Sequence, residues 1–538
     1  MANFDVIIIH PPAVYDFRKK SIFPGAMGSS VEQVQFNKVP IGMLSLAEYL
    51  DRHGYKVIVD NIGDRMINSV IFDVRQHIRS LSARIFAIGL SFQQHAQGAL
   101  EIAKMCKKLH PGSLVIMGGL TATRFHQEII EKYEFVDAVI RAEAEKPFLQ
   151  LMRTLEKNGK LTDTPNLTYR TKTGEARSTP LMPASSNLDE FEYTRFDLIQ
   201  PRTSILPVGA PARWSLEVCR GCTYNCTICG GSAYSYKTYL GLNKPAFRSP
   251  GKIIGDIKKL NQQGVRFIGL YQDPRMAGEK YWRELLAGLA KERAEIERLS
   301  LDLLVPANED FIKSVAQIGR QVVMHICPDT GSEAVRRKLG RHYTNEQLLK
   351  TVQICHQYGL AVTCFFSVGL AGETPENVKQ TWDLWNRMTE MDIKARVGGG
   401  GPIAGPIVLD PGSLAFDQPQ KYGYKLLYKN LEEYVKGLSH PSWHHWLNYG
   451  TETLDTNAMV DLILSTVEFS IDQREKSGFF DENQAASERL RAGTDRVIVK
   501  EIDQIMLIKR KTEREAALTA LKTKFESFLQ TNLQKFVE

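Results

Sequence analysis

The run CRGCTYNCTICGG, residues 219–231, sets Cys222, Cys226 and Cys229 in a Cys-x3-Cys-x2-Cys loop. Three thiolates this close in sequence can hold three irons of a 4Fe-4S cluster, whose ordinary complement is four cysteines, so that one iron stays open to a substrate. Cys219 extends the run to Cys-x2-Cys-x3-Cys-x2-Cys and brings in two other readings. Zinc sites separate their two Cys-x2-Cys knuckles by about a dozen residues or more, so that each forms its own turn. A bacterial ferredoxin run has a different order and ends in Cys-Pro. The spacing favours the cluster with an open iron, and zinc or a simple electron-transfer cluster stay as alternatives. Cys219 is expected to be the last residue of a strand and not a ligand.

The rest of the composition suits a large enzyme. A chain of 538 residues has room for about three domains, and 43% hydrophobic content fills their cores. No stretch approaches the ~20 apolar residues of a membrane helix, and no signal peptide precedes FDVIIIHPP, so a cytoplasmic protein without a membrane partner is expected. Cys106, Cys327, Cys355 and Cys364 are scattered in apolar segments, which fits a reducing compartment. The net charge of +7 is spread along the chain and does not point to nucleic acid.

Residues 1–157 alternate strand-like and helix-like runs. FDVIII (4–9) stops at His10-Pro11-Pro12, a helix pattern from Ile41 to His53 closes at Gly54, and a strand-like run covers 56–59. IFAIGL (85–90) runs into SFQQH (91–95), a helix pattern covers about 99–109, LVIM (114–117) ends in Gly118-Gly119, and AVI (138–140) enters RAEAEKPF. Such alternation predicts a parallel, doubly wound, Rossmann-like sheet whose ligands sit beyond the carboxyl ends of the strands. The GxGxxG of a generic nucleotide site is absent. Residues 158–207 are rich in Thr, Ser and Pro and read as a linker, with a hairpin in LTYRTKTGEARS.

From 208 to 413 strand and helix units succeed one another, as in a partial (β/α)6 barrel. The strands are WSLEV, 265–271, 299–305, 322–326, 361–368 and 394–397, the last leading into GGGGPIAGP. Barrel chemistry collects at the carboxyl ends. Residues 414–538 read as mainly helical, from KYGYKLLYKNLEEYVKGL to a terminal face of Leu518, Leu521, Phe525, Phe528 and Leu529. Ser442–Trp446, SerTrpHisHisTrp, invites a metal reading, but adjacent histidines on a helix face apart, so an aromatic docking patch or core contact is expected.

The cysteine spacing resembles the signature of the radical SAM superfamily. That resemblance implies an open iron chelating the amino and carboxylate groups of S-adenosylmethionine (SAM), with Tyr224 and Ile228 of the loop beside it. PDTGSEAVRRKLGR (328–341) is similar to the superfamily's Pro-Glu-Ser-Gly-Ser segment and its following Leu-Gly-Arg. This places Asp329 and Thr330 near SAM and Arg341 on its carboxylate, which a guanidinium grips bidentately; a surface cation is the alternative for Arg341. GLAGETPENV (369–378) resembles the strand 5 motif and implies Gly369, Gly372 and Glu373 at the adenine, although the same residues can simply start a helix capped by Thr374. Gln272, after the second strand, implies a contact to the SAM amino group.

The first 157 residues resemble the cobalamin-binding domain that precedes many radical SAM cores. The comparable loops carry Pro11 and Pro12; Ser91, Phe92, Gln93 and His95; Gly118 and Gly119; and Arg141 and Glu143. Ala142 and Ala144 replace the two glycines of the family's Arg-Gly-Glu-Gly-Glu, and the Asp-x-His-x-x-Gly motif is missing. The resemblance therefore implies base-off cobalamin (as methylcobalamin) with no histidine on cobalt. His95 and Gln93 can approach the lower face, although a lone loop histidine is more often solvated.

The two resemblances together imply a cobalamin-dependent radical SAM C-methyltransferase. In such enzymes a 5'-deoxyadenosyl radical activates an unactivated sp3 carbon, which collects a methyl group from methylcobalamin, and a ferredoxin or flavodoxin supplies electrons. No residue is assigned as a catalytic acid or base. Residues 9–30, 36–50 and 405–413 resemble the archaeal subgroup containing the glutamine C-methyltransferase of methyl-coenzyme M reductase, which implies a peptide or protein substrate, and the glycine-rich segment after the sixth strand, with Gly400 and Asp410, is where a peptide backbone is expected to enter. Three other readings remain. A cobalamin radical SAM cyclase, or a methyltransferase of a small molecule, shares both domains. A methylthiotransferase needs more cysteines than Cys106 before Cys219. A non-enzymatic carrier does not cleave SAM.

Overall fold

Phe4–Ile9 is apolar at every position but Asp5, and in the computed structural model it becomes the centre of a sheet buried on both faces. Residues 3–23, 38–205, 211–292, 296–319, 321–397 and 403–533 are described. Strands β1 (Phe4–His10), β2 (Val57–Asn61), β3 (Ala83–Gly89), β4 (Leu114–Gly118) and β5 (Ala138–Ile140) run parallel. Val6 and Ile8 pack with Leu44 and Ala47 of the helix Ile41–Asp51, whereas Ile7 and Ile9 pack with Ala99 and Ile102 of the helix Ala96–Leu109. Alternate residues of one strand thus serve two cores, as a doubly wound sheet requires. Pro11 and Pro12 end β1, and their loop lies over the start of Ala96–Leu109, where Gly98 N donates to Ala13 O at 3.1 Å.

The stretch read as a linker belongs largely to this sheet. The hairpin forms as β6 (Leu167–Arg170) and β7 (Ala176–Ser178), and it adds antiparallel to β5. At the other edge β8 (Ile199–Gln200) pairs with β2, giving the order β7-β6-β5-β4-β3-β1-β2-β8. The backbone of β5 would otherwise be an unpaired edge, a demand that composition does not reveal.

The second sheet begins with β9 (Arg213–Glu217), then β10 (Cys219–Arg220), which pairs only with β11 (Ala246–Phe247). β12 (Phe267–Tyr271), β13 (Arg298–Leu303), β14 (Gln321–Asp329), β15 (Ala361–Val368) and β16 (Ile403–Pro406) complete an open parallel barrel in the order β9-β12-β13-β14-β15-β16. The sixth strand is therefore not 394–397. The helix Pro375–Ala395 extends through Lys394, and the strand lies in the glycine-rich segment beyond it. An edge position tolerates Pro406 because no ladder partner needs its missing N–H. The helix start agrees with expectation, since Thr374 accepts from Asn377 N in a capping box and Pro375 follows.

The C-terminal part is mainly helical, with a correction. KYGYKLLYKNLEEYVKGL is not one helix: β17 (Tyr424–Leu426) pairs antiparallel with β18 (Tyr449–Thr451), and only Leu431–Leu438 is α-helical within it. Long helices follow at Thr456–Lys476, Glu482–Met506 and Lys511–Leu533. Leu518, Leu521 and Phe525 are buried with Ile498, Ile502 and Phe23, whereas Phe528 is exposed. Among the described residues no helix is long and apolar enough to cross a membrane.

Candidate functional site

The cysteine loop leaves β10 at the carboxyl-end face of the barrel, where three other segments hold its backbone by hydrogen bonds. Thr227 N donates to Leu339 O at 3.1 Å, Ala415 N donates to Thr227 O at 2.8 Å, and Gly230 N donates to Asp410 Oδ2 at 3.0 Å. Gly340 has φ +87°, and a Cβ there would lie 2.8 Å from Asn225 O, so the turn after 333–338 can approach the loop only as glycine. Tyr224 N points at Cys222 Sγ (3.4 Å) and Gly231 N at Cys229 Sγ (3.3 Å). Amides aimed at sulfur favour the thiolate, the form that binds metal.

Burial pushes all three thiols up, Cys229 to about 12, while the Arg341 charge acts in the opposite direction on Cys222 and Cys226. Cys219 is 3% exposed, with its thiol donating to Gly221 O at 3.5 Å. It is therefore not the last residue of a strand as expected: β9 already ends at Glu217, and Cys219 opens the short strand β10.

Beside the loop lies a pocket of about 600 Å³ lined by Tyr224, Cys226, Leu304, Gly340, Arg341 and Tyr343 among others. Arg341 Nε is 2.5 Å from Asp329 Oδ2, and Asp329 ends β14 with φ +61°. Gln272, directly after β12, also has positive φ (+76°), its N–H donating to Asp302 Oδ2 at 3.2 Å. Non-glycine residues held in this strained region, both at barrel strand ends, are the kind of outlier that marks a working site. Tyr224 and Arg341 thus line the pocket, and Asp329 reaches it through Arg341. Ile228 packs instead with Val335, Leu339 and Leu370.

Thr330, Gly369, Gly372 and Glu373 make a separate turn after β14 and β15. Glu373 is fully buried and accepts from Gly369 N (2.9 Å) and Leu370 N (3.0 Å). Burial raises its carboxyl to about 7 against those two donors. Gly369 faces Met459 of the helix Thr456–Lys476. These residues brace the turn. Gly400 lies outside the described residues. Asp410 is engaged with the cysteine loop through Gly230.

At the carboxyl ends of the first sheet a cavity of about 310 Å³ is lined by Ser91, Gly118, Gly119 and Glu143, and by Ile8, Met43, Ile116 and Phe148. Gly119 has φ +112°, and a Cβ there would fall 2.7 Å from the Leu90 carbonyl, so the cavity wall is built on bare backbone. Ala142 takes φ +59° with its N–H donating to Thr123 Oγ1 at 3.0 Å. The loop keeps the left-handed turn that a glycine would supply there. The apolar walls and glycine floor suit a flat heteroaromatic arm of a cofactor, and no histidine is in the lining among the described residues.

The remaining expected residues stand around this cavity without lining it. Pro11 and Pro12 are buried beside Gly98. Arg141 turns away to Thr179 O. His95 is buried with its ring 5.0 Å from that of His10, Gln93 is buried beside Asp410, and Phe92 is exposed.

Sequence reasoning missed Arg220, the residue between Cys219 and the cluster loop. The cavity's far wall is the second domain, through Glu217, Arg220, Tyr236 and Leu240. Arg220 binds Glu145 Oε1 at 2.6 Å and Glu217 Oε1 at 2.9 Å, and Glu143 Oε1 is 3.8 Å away. Ser45 Oγ also donates to Glu145 Oε1, at 2.6 Å. Two of the three carboxylates come from RAEAE, the signal that could have pointed to a cation opposite.

Comparison with known proteins agrees with both halves. Residues 216–384 match the Radical SAM superfamily and residues 31–152 match the B12 binding domain. An uncharacterized methyltransferase of Pyrococcus horikoshii is 25% identical over 345 residues, spanning 64% of this chain and 72% of that protein. The anaerobic magnesium-protoporphyrin IX monomethyl ester cyclase of Rubrivivax gelatinosus is 24% identical over 371 residues, 66% of this chain and 63% of that protein. Among solved structures, the radical S-adenosylmethionine methyltransferase TsrM of Kitasatospora setae, with cobalamin and a 4Fe-4S cluster bound, superposes with a TM-score of 0.63 at 13% identity, covering 93% of this chain and all of that one. The chain joins a B12-binding domain to a radical SAM domain. It is a radical SAM enzyme whose cofactors are a 4Fe-4S cluster, SAM and cobalamin.

Proposed function

We propose that this enzyme is a cobalamin-dependent C-methyltransferase that methylates an unactivated carbon of a protein substrate, a glutamine side chain being the target. The observation that carries methyl transfer is the shared cavity: its floor is the Ser91 and Gly118–Gly119 loops of one domain, and its far wall is Arg220, which is followed within two residues by the first cluster ligand, Cys222. Cofactors on those two floors face one substrate space. When bound, the cluster and SAM supply radical initiation, and cobalamin supplies the methyl group.

The chain's own residues position and shield. Cys222, Cys226 and Cys229 hold the cluster, and Tyr224 and Arg341 offer an aromatic ring and a cation to SAM in the adjoining pocket. Asp329 fixes the Arg341 guanidinium from the side. Ser91, Gly118, Gly119 and the apolar side chains Ile8, Met43, Ile116 and Phe148 would hold the heteroaromatic arm of a base-off cobalamin. A low-potential protein such as ferredoxin or flavodoxin delivers electrons. The glutamine target rests on the whole-chain resemblance of 9–30, 36–50 and 405–413.

The relative from Rubrivivax favours cyclisation as a second reading. One assay separates them: reduced, reconstituted enzyme with SAM, cobalamin and a glutamine-containing peptide of methyl-coenzyme M reductase. C-methylated peptide together with 5'-deoxyadenosine and S-adenosylhomocysteine is expected. Methylation without 5'-deoxyadenosine would sink the radical route, and 5'-deoxyadenosine without any methylated product would sink methyl transfer to this peptide.

A further inference from the structure

The segment Ser442–Trp446 does not behave as its sequence suggests. Trp443–Trp446 is a 3-10 turn, with 3 residues per turn and not 3.6, and Tyr428 OH and Trp446 Nε1 tie down the carbonyls of His445 and His440. Both adjacent histidines therefore reach one carboxylate. His444 Nε2 is 2.9 Å and His445 Nε2 is 3.3 Å from Asp503 Oδ1, on the helix Glu482–Met506. These three groups place one ligand atom each within 4.8 Å of one another. The Trp443 and Trp446 rings are core contacts, as expected, but the imidazoles are not merely packed.

Three details point to a cation. The His444 and His445 ring centroids are 3.9 Å apart and His440 is 4.7 Å from His445, so three imidazoles share one small space. His440 Nδ1 is buried and makes no hydrogen bond, at a cost of about 1–3 kcal/mol, and the buried His445 Nε2 has only the off-line approach of Asp503 Oδ1 at 3.3 Å. His444 Nδ1 is 2.8 Å from Ser442 Oγ; a proton held there leaves Nε2 bare toward Asp503, the outer-shell arrangement of metal-bound histidines. Ligand atoms about 2.0 Å from a tetrahedral zinc are about 3.3 Å from one another, close to the separations seen.

We propose that His444, His445 and Asp503 bind a divalent transition metal of zinc character, separate from the cluster. Neutral imidazoles and one carboxylate are a borderline donor set, suited to zinc and not to calcium or magnesium. Its role is mechanical. The histidine segment also pairs through an isolated bridge with the N-terminal segment, Phe23 N donating to Pro441 O at 2.6 Å and Trp443 N to Phe23 O at 3.3 Å. A metal would fasten this three-way junction to the helix Glu482–Met506.

The test uses full-length enzyme already loaded with its cluster, so that the cysteines are occupied. After incubation with zinc sulfate and desalting, elemental analysis should find about one zinc per chain, with a rise in thermal midpoint that magnesium does not produce. His445→Asn and Asp503→Asn should each weaken zinc retention by at least about 10-fold while keeping cluster absorbance. If one variant fails to fold, the other carries the comparison. A parent enzyme that retains no zinc, or variants that retain as much as the parent, would overturn the site.

Discussion

Cys219 and Cys222 sit three positions apart and have opposite fates, decided by where their backbones go. Cys219 is fixed by its pairing with Phe247, and its thiol is turned to Gly221 O. Cys222 is in the loop with an amide at its sulfur. Cys219→Ala should keep about four irons per chain and the cluster's charge-transfer absorbance. Cys222→Ala, Cys226→Ala and Cys229→Ala should each lose most of the iron, and loss of iron in the Cys219 variant would reinstate it as a ligand. Glu373 makes the residue-scale argument for pH. Its folded-state carboxyl is raised from the ordinary range to about 7, so its contribution to stability is present in full below about pH 4.5 and is lost as pH rises through 7. Glu373→Gln keeps an acceptor for Gly369 N and Leu370 N and cannot ionise. The variant should gain on the parent by on the order of 2 kcal/mol between pH 5 and pH 8, read from thermal midpoints. A pH-independent difference would mean that Glu373 is not protonated in the fold.

Elements were legible where sequence period and strand end coincide, and illegible where a third party decides. The main barrel strands through β15 and the parallel strands of the first sheet follow from apolar runs punctuated by Gly and Pro, and Gly118 and Gly119 line the cavity beyond their strand end. The sixth barrel strand was missed because Ile403–Pro406 has only one β-branched residue, and its identity comes from pairing with Phe365–Val368. The hairpin was seen, but its addition to β5 is a long-range edge effect. Arg220 was missed for a related reason, since a lone arginine in a cysteine loop gives no hint of carboxylates 75 residues upstream. The glycine reading is open to a direct check. Gly119→Ala forces a Cβ to 2.7 Å from backbone at φ +112°, and neither a side chain nor a rotamer can relieve it. Cobalamin should bind at least about 10-fold more weakly while the cluster stays intact. Unchanged cobalamin affinity would place the cofactor elsewhere.

At the scale of the molecule, two charged hubs hold the domains at the orientation that two cofactors need. Asp417 takes Arg124 of the first domain at 3.2 Å and the hydroxyls of Tyr234 and Tyr239, just after the cluster loop, at 3.1 and 2.6 Å. Arg220 is the second hub, and its 11% exposed side chain serves Glu145, Glu217 and Glu143 across the domain boundary. Burial raises the Glu145 carboxyl and the Arg220 charge more than offsets this, so the net direction is down. A buried ion pair is a poor source of net stability, yet removing one partner strands the other and costs about 3–5 kcal/mol. Arg220→Met should therefore cost about that much, weaken cobalamin binding if the cavity that Arg220 lines is the proposed cofactor site, and leave iron content nearly unchanged. Adding Glu145→Gln to Arg220→Met should recover part of the lost stability, because the stranded charge is then gone. Additive losses in this double-mutant cycle, measured by denaturant unfolding, would show that the two groups do not act as one hub and that the domain orientation is set by packing alone.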